Sequence, residues 1–315
     1  MIEEKIVIGE RYPLNGLLTI PDSGGARCPA AVLVHGSGPV DMDEKVGGTR
    51  FFKDLAQGLA RRGVATIRYD KRTFAHGKKL LKDFPRELSV REETIEDALL
   101  AASLLRGDPR IDPEKVFIAG HSMGAMLAPR IDGEGGNFAG LVLLAGSPRR
   151  LEEIIVEQMN EYLKGARGMI KWIAGRQIGK IAKKLEKIYG LTDEEAMRFP
   201  VLGKKIMAYY FKEWGSKPAV DYLKDRSKPI LVLQGDADFH VSVEKDFNGY
   251  KQILAEHANA HFKLYPGLNH LFMPKVYGDI KKARREYKKA QNVDERVIDD
   301  VADWIKAPSG NAACV

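Results

Sequence analysis

The chain has 315 residues, 44% of them hydrophobic, enough for one large domain or two small ones with a sizeable core. Its formal net charge is +7, and its two cysteines, Cys28 and Cys314, stand outside any C-x-x-C or Cys/His spacing. This excludes a disulfide-stapled scaffold and a zinc-finger pattern and predicts reduced thiols in a cytoplasm. No apolar run approaches the roughly 18 residues of a spanning helix, and the charged opening MIEEKIVIGE lacks a secretory signal's apolar stretch, so a soluble cytoplasmic protein without stable membrane insertion is expected.

Short strand-like runs come first, at Ile6 to Ile8, Leu17 to Ile20 and Ala30 to Val34, separated by Tyr12-Pro13 and Ser23-Gly24-Gly25. The pattern then alternates. Phe51 to Arg62 reads as a helix, Val64 to Tyr69 as a strand, and Thr94 to Arg106 as a helix with Ile95, Ala98, Leu99, Ala102 and Leu105 on one stripe. The strand VFIAG follows, and LVLLA (Leu141 to Ala145) and ILVL (Ile230 to Leu233) are continuous apolar runs suited to strands buried on both faces. A helix near Val243 to Glu256, the strand His261 to Tyr265 and a closing helix from Val293 to Lys306 complete the series. Strands alternating with helices predict an α/β fold, a mostly parallel sheet flanked by helices with right-handed crossovers.

Between the strand ending near Ala145 and the strand beginning near Ile230 lie helical compositions at Leu151 to Tyr189 and Glu194 to Leu223. A structureless loop of that length is improbable in a compact domain, so a helical cap is expected. The expected organisation is a core of residues 1–147 and 228–306, a cap of 148–227, and a frayed tail of 307–315. The stretch from Pro148 to Arg226 carries 17 Lys plus Arg and 11 Asp plus Glu, so +6 of the net charge sits there. A solvated helix face is the ordinary explanation for it, with attraction of an anionic substrate or a lipid surface as the other.

VFIAGHSMGAMLAPR, Val116 to Arg130, runs from a β-favouring segment through a glycine-flanked serine, Ser122, into a helix-favouring one. A strand-to-helix turn that sharp crowds its flanks, and Gly120 and Gly124 stand where little beyond a hydrogen fits. A serine hydroxyl needs a base to take its proton and a third group to hold that base, so a histidine and a carboxylate are required at the carboxyl ends of the strands. Asp236-Ala237-Asp238 follows ILVLQG directly, and Asn269-His270 follows HFKLYPGL, giving the order serine, acid, histidine. Position alone leaves Asp236 and Asp238 both open, with a turn-capping role as the alternative for Asp236.

With these residues in place the chain resembles the α/β-hydrolase superfamily. HGSGPVDMDEKVGGTRFFKDLA from His35, RYDKR, GHSMGA, VLQGDAD and YPGLNHLF together look like bacterial carboxylesterases of the group that includes dienelactone-hydrolase-like serine hydrolases. The resemblance covers roughly residues 15 to 147 and 228 to 305 and leaves the cap uncovered. It implies an α/β-hydrolase fold with Ser122 as nucleophile, His270 as base and Asp238, three residues past Gly235, as the acid. It implies an oxyanion hole from the backbone N–H groups of Ser37 and Met123, and a carboxylesterase forming an acyl-enzyme on small to medium acyl esters.

The same triad would also serve a lipid or lysophospholipid hydrolase, a peptidase or an acyltransferase. From a different class, the basic cap could dock nucleic acid or membrane in a non-catalytic binding module, which a complete serine, acid and histidine set disfavours. His35 is expected to shape its turn. Asp70, Arg68, Lys71 and Arg72 are expected to tie loops together through ion pairs rather than touch substrate. His76, His121, His240, His257 and His261 lack partners at metal-ligand spacing, so neither a metal nor a cofactor is expected. No glycine-rich nucleotide loop follows a strand, which leaves nucleic acid and nucleotides without support as partners. Of the cap aromatics Trp172, Tyr189, Phe199, Tyr209, Tyr210, Phe211, Trp214 and Tyr222, helical spacing assigns most to packing and a few to an acyl pocket.

Overall fold

The computed structural model describes residues 1–22, 24–164, 166–202, 206–223 and 228–307. Alternate residues of the central strands face opposite sides and are buried on both, which demands helices above and below. On Cys28–Val34, for example, Val32 and Val34 join one apolar cluster while Ala31 and Leu33 join the other.

Eight strands form the sheet: β1 (Ile2–Ile8), β2 (Leu14–Ile20), β3 (Cys28–Val34), β4 (Ala65–Tyr69), β5 (Ile111–His121), β6 (Leu141–Leu144), β7 (Ile230–Gly235) and β8 (Ala260–Tyr265). Their spatial order is β1-β2-β4-β3-β5-β6-β7-β8. All pairs from β4 to β8 are parallel, and only β2 runs against its neighbours. α1 (Phe51–Arg61) and α11 (Glu295–Lys306) pack on one face; α3 (Glu96–Gly107), α4 (Met123–Ile131) and α10 (Asn248–Ile253) pack on the other. The expected helix near Val243 to Glu256 is a π-helical turn, Val243–Phe247, running into α10. The helix α2 (Arg72–Asp83) was not expected. Gly77 and the non-helical backbone of His76 interrupt it, and that weakens its pattern.

Between β6 and β7 the chain forms α5 (Leu151–Leu163), α6 (Gly168–Glu186), α7 (Asp193–Arg198), α8 (Ala208–Gly215) and α9 (Ala219–Leu223). A short antiparallel strand pair, Pro200–Leu202 with Ile206–Met207, departs from the expected all-helical reading. Its cause is local: Pro200 holds Phe199 in extended backbone, φ −98° and ψ 104°, and so stops α7. Leu185, Ile188, Ala196, Val201, Ala208 and Phe211 make a small core of this segment's own, while Ile154, Trp214 and Leu223 seat it on the main one. Among the described residues no helix is long and apolar enough to cross a membrane. The expected tail lies outside the described residues apart from Ala307, and with it Cys314; Cys28 is a buried free thiol.

The strand-to-helix turn between β5 and α4 is as sharp as its glycines imply. Ser122 is held at φ 52° and ψ −112°, a conformation L residues rarely adopt. A Cβ on Gly124 would stand 2.1 Å from the Val34 carbonyl oxygen, and one on Gly120 would stand 2.3 Å from the Gly124 carbonyl. Both obstacles are backbone, which cannot yield as a side chain would. Gly120→Ala and Gly124→Ala are each expected to lose about 2 kcal/mol or more of stability and to lower the thermal unfolding midpoint by several degrees. Calorimetry with unchanged midpoints would refute the close packing.

Candidate active site

Three loops leave the carboxyl ends of β5, β7 and β8 and converge on one cavity of about 770 Å³. Ser122, Met123, His270 and Ser37 all line it. Loop contact is direct at Gly235, where a Cβ would meet the Leu268 carbonyl oxygen at 2.1 Å, and the Ala237 N–H donates to that same oxygen at 3.0 Å. The acid-bearing and histidine-bearing loops are therefore packed backbone against backbone.

The Asp238 side chain is fully buried and takes three hydrogen bonds. One oxygen accepts from the His240 and Val241 N–H groups at 2.8 and 3.1 Å, and the other accepts from His270 Nδ1 at 2.7 Å. Burial raises the carboxyl pKa, but the His270 charge and hydrogen bond, with the contacts from His240, outweigh it and hold the group below the usual aspartate range. With Nδ1–H committed to the carboxylate, the His270 tautomer leaves Nε2 free to accept a proton. Asp236 has a different role: its carboxylate accepts from the Gly267 N–H at 2.6 Å and closes the turn between the two loops. Asn269, fully buried, shapes the histidine turn by accepting from the Leu271 and Met273 N–H groups.

The loop after β3 borders Ser122. A Cβ on Gly36 would lie 3.3 Å from that of Ser122 and 2.9 Å from a Glu44 oxygen. Met123 opens α4, so its N–H has no carbonyl one turn back to bond, and Ser37 is exposed at the cavity wall.

Behind these groups lies a buried polar chain that sequence reasoning missed. Glu44 Oε1 accepts from the Gly36 N–H at 2.7 Å and from His121 Nδ1 at 3.0 Å, while His121 Nε2 donates to the His270 carbonyl at 3.0 Å. Both partners of the His121 ring are acceptors, and protons on both ring nitrogens, hence a positive ring, would satisfy them in full. Burial disfavours that charge, but the Glu44 charge and hydrogen bond and the His270 carbonyl overcome it and raise the His121 pKa; Glu44 is lowered correspondingly against the same opposition. Lys71, also buried, donates to the Gly36 carbonyl at 2.9 Å and pairs with Glu93 at 2.8 Å, and the Tyr210 hydroxyl of α8 donates to Glu93 at 2.6 Å. Glu44 and His121 had one available signal, their closeness in sequence to Gly36 and Ser122; Glu93 and Tyr210 had none.

Elsewhere the sequence-based expectations divide. RYDKR does form ion pairs, but with partners outside the run: Arg68 with Glu3 and Asp43, Arg72 with Asp97 and Glu96. Asp70 accepts from the Met42 N–H instead of pairing with its neighbours. His35 is buried and its pKa falls to about 4 under that burial, so it stays neutral, packed against Phe52 and Tyr69. His240 lies at the cavity, its ring 4.8 Å from that of His270, and burial together with the His270 charge lowers its pKa to about 3. Of the eight aromatics named above between β6 and β7, Tyr210 and Phe211 reach the cavity wall, Trp214 belongs to the main core and Trp172 is exposed. Among the described residues no group of three or more His, Cys, Asp or Glu is arranged to hold a metal ion.

Comparison with known proteins agrees with this architecture. Residues 31–275 match the model of the alpha/beta hydrolase family. Esterase EstD of Thermotoga maritima is 36% identical over 303 residues, spanning 96% of this chain and 67% of EstD. Among solved structures, Est1E from Butyrivibrio proteoclasticus superposes with a TM-score of 0.56 at 18% identity, over 90% of this chain and 96% of its own. The Pyrococcus furiosus esterase Pf2001 gives 0.57 at 14% identity, over 97% and 91%. At such identities the solved structures speak for the fold alone. On the extent of the family match and the identity to EstD, the chain belongs to the alpha/beta hydrolase family.

Proposed function

We propose that the protein is a serine carboxylesterase working through an acyl-enzyme, with Ser122 as nucleophile, His270 as general base and acid, and Asp238 as the group that orients and supports His270. The observation that carries this reading is a single cavity whose wall includes both a serine on a strained turn and a histidine bonded to a buried carboxylate. Ser122 Oγ attacks the ester carbonyl carbon while His270 Nε2 takes its proton; the tetrahedral intermediate then collapses as the imidazolium returns that proton to the leaving alcohol. Water, deprotonated by the same imidazole, attacks the acyl carbonyl, and the acid departs as Ser122 recovers its proton. The Met123 and Ser37 N–H groups receive the oxyanion, each worth about 3 kcal/mol of barrier in comparable sites.

The buried His121 ring, bonded to Glu44 and to the His270 carbonyl, supports this assignment by tying the oxyanion loop to the backbone of His270. The relationship to EstD supports ester hydrolysis as the reaction, and the mostly apolar walls of the cavity favour small to medium acyl groups over charged ones. The helical segment over the cavity acts in this reading as a cap that sets acyl length.

Ser122→Ala is expected to lower hydrolysis of p-nitrophenyl acetate and butyrate by at least about 10⁴-fold and to abolish labelling by a fluorophosphonate, which peptide mapping of wild type should place on Ser122. A label on another residue would sink the assignment. Asp238→Asn should cost on the order of 10⁴-fold in kcat and Asp236→Asn less than about tenfold; the reverse order would exchange their roles. The Glu44–His121 pair has a sign that thermal unfolding can read. The raised His121 pKa contributes stability fully present below its ordinary value of 6.5 and lost as pH climbs through the folded value. The lowered Glu44 pKa contributes stability present above its ordinary 4.5 and lost as pH falls through the folded value. The midpoint gap between wild type and Glu44→Gln should therefore be widest between those two ordinary values and narrow on either side. A gap independent of pH would mean the pair is not ionised.

A further inference from the structure

The helix α6 carries the unexplained part of the basic charge. Its 19 residues, GMIKWIAGRQIGKIAKKLE, hold five cations and a single acid, Glu186, at the last position. Three cations around the helix are neutralised: Lys164 pairs with Glu161, Arg198 with Glu194 and Lys212 with Asp193. Among the described residues, Arg176, Lys180 and Lys183 have no carboxylate partner. These three are exposed and fall, at helical spacing, on the same outward face as Met169, Trp172 and Ile173. Met169 and Trp172 are 75% and 64% exposed, the most exposed large apolar side chains among the described residues, and Ile173 is 44% exposed. The opposite face is anchored, with Leu185 buried and Ile181 packed against the segment's own core.

We propose that this face docks on an anionic lipid surface, with Met169, Trp172 and Ile173 entering the interface and Arg176, Lys180 and Lys183 lying against the headgroups. Three features of the face select that occupant. The apolar trio occupies the first turns and the cations continue the same stripe, so one orientation buries the trio among acyl chains and sets the cationic row on lipid phosphates and carboxylates. A nucleic acid would satisfy the cations but give Met169 and Ile173 no apolar layer to enter. A second copy related by a two-fold axis parallel to α6 would bring the two cationic rows together and repel, and an axis placed at the apolar trio would leave the cations without a partner. The guanidinium of Arg176 lies 5.7 Å from the centre of the Trp172 ring, which joins the two halves of the face into one surface. The inference stands apart from the proposed chemistry, since among the described residues α6 contributes none to the cavity wall.

Co-sedimentation with vesicles tests it. Wild type should bind mixed phosphatidylcholine–phosphatidylserine vesicles at low salt, stay free of pure phosphatidylcholine vesicles, and be released by high salt. Lys180→Glu with Lys183→Glu should lower partitioning into mixed vesicles roughly tenfold or more, and Trp172→Ser should weaken it further, while unfolding midpoints stay at the wild-type value because all three side chains are exposed. The proposal is overturned if wild type fails to bind mixed vesicles at low salt, if the double charge reversal binds as well as wild type, if duplex DNA binds more tightly than the vesicles, or if the face proves to bury itself in a dimer that Trp172→Ser dissociates. Because binding is read without any ester, loss of the esterase reading would leave this result untouched.

Discussion

The geometry of the cavity depends on one buried chain of hydrogen bonds, from the Gly36 N–H to Glu44, from Glu44 to His121, and from His121 to the carbonyl of His270. Its members come from the ends of β3, β5 and β8, elements separated by most of the chain, and loops at the rim of a sheet have little else to hold them in mutual register. A carboxylate and an imidazolium enclosed together hold their neighbours more firmly than neutral groups would, because leaving either one unpaired in a buried site is costly. The proposed nucleophile, base and oxyanion loop can therefore keep a common geometry although no covalent connection shorter than dozens of residues joins them.

The segment between β6 and β7 is clamped to the core by the same kind of contact at three places. Arg130 of α4, almost fully buried, pairs with Glu213 of α8 and with Glu134; Arg149 pairs with Asp246 ahead of α10; Tyr210 bonds to Glu93. Apolar contacts through Ile154, Trp214 and Leu223 merge it with the main core. Leu151, Ile154 and Ile155 of α5 and Met207 beside α8 then form one wall of the cavity against Leu80 and Leu81 of α2. A wall held by buried ion pairs has a defined shape, so the space offered to a bound molecule is set jointly by both halves of the structure. The helix α6, outside α5, is free of that duty, which is why its outward face can carry exposed tryptophan and unpaired cations without disturbing the cavity.

Much of the fold was legible because the signals were local and periodic. The runs LVLL and ILVL are apolar without interruption since both faces of their strands are covered, and the glycines around Ser122 are demanded by backbone a few residues away and by the end of β3. α2 was illegible because Gly77 and a kink at His76 break its stripe, and the strand pair after Phe199 because two strands of two or three residues leave no pattern to read. Asp238 and Asp236 could not be separated by position, two residues apart on one loop; burial and bonding separate them, one carboxylate turned to His270 and the other to the Gly267 amide.

By itself the sequence determined the alternation of strands and helices, the strained serine turn, the acid and histidine loops at the ends of their strands, and where the positive charge resides. Hydrophobic periodicity and glycine sterics act within a few residues, so a linear reading captures them. Only the tertiary structure decided that His121 bridges Glu44 and the His270 carbonyl, that RYDKR pairs with Glu3, Asp43, Glu96 and Asp97 rather than with itself, and that Tyr210 touches the cavity while Trp172 faces outward. Partner choice among buried polar groups is set by which loops the sheet order brings together, and no local pattern in the chain encodes that order.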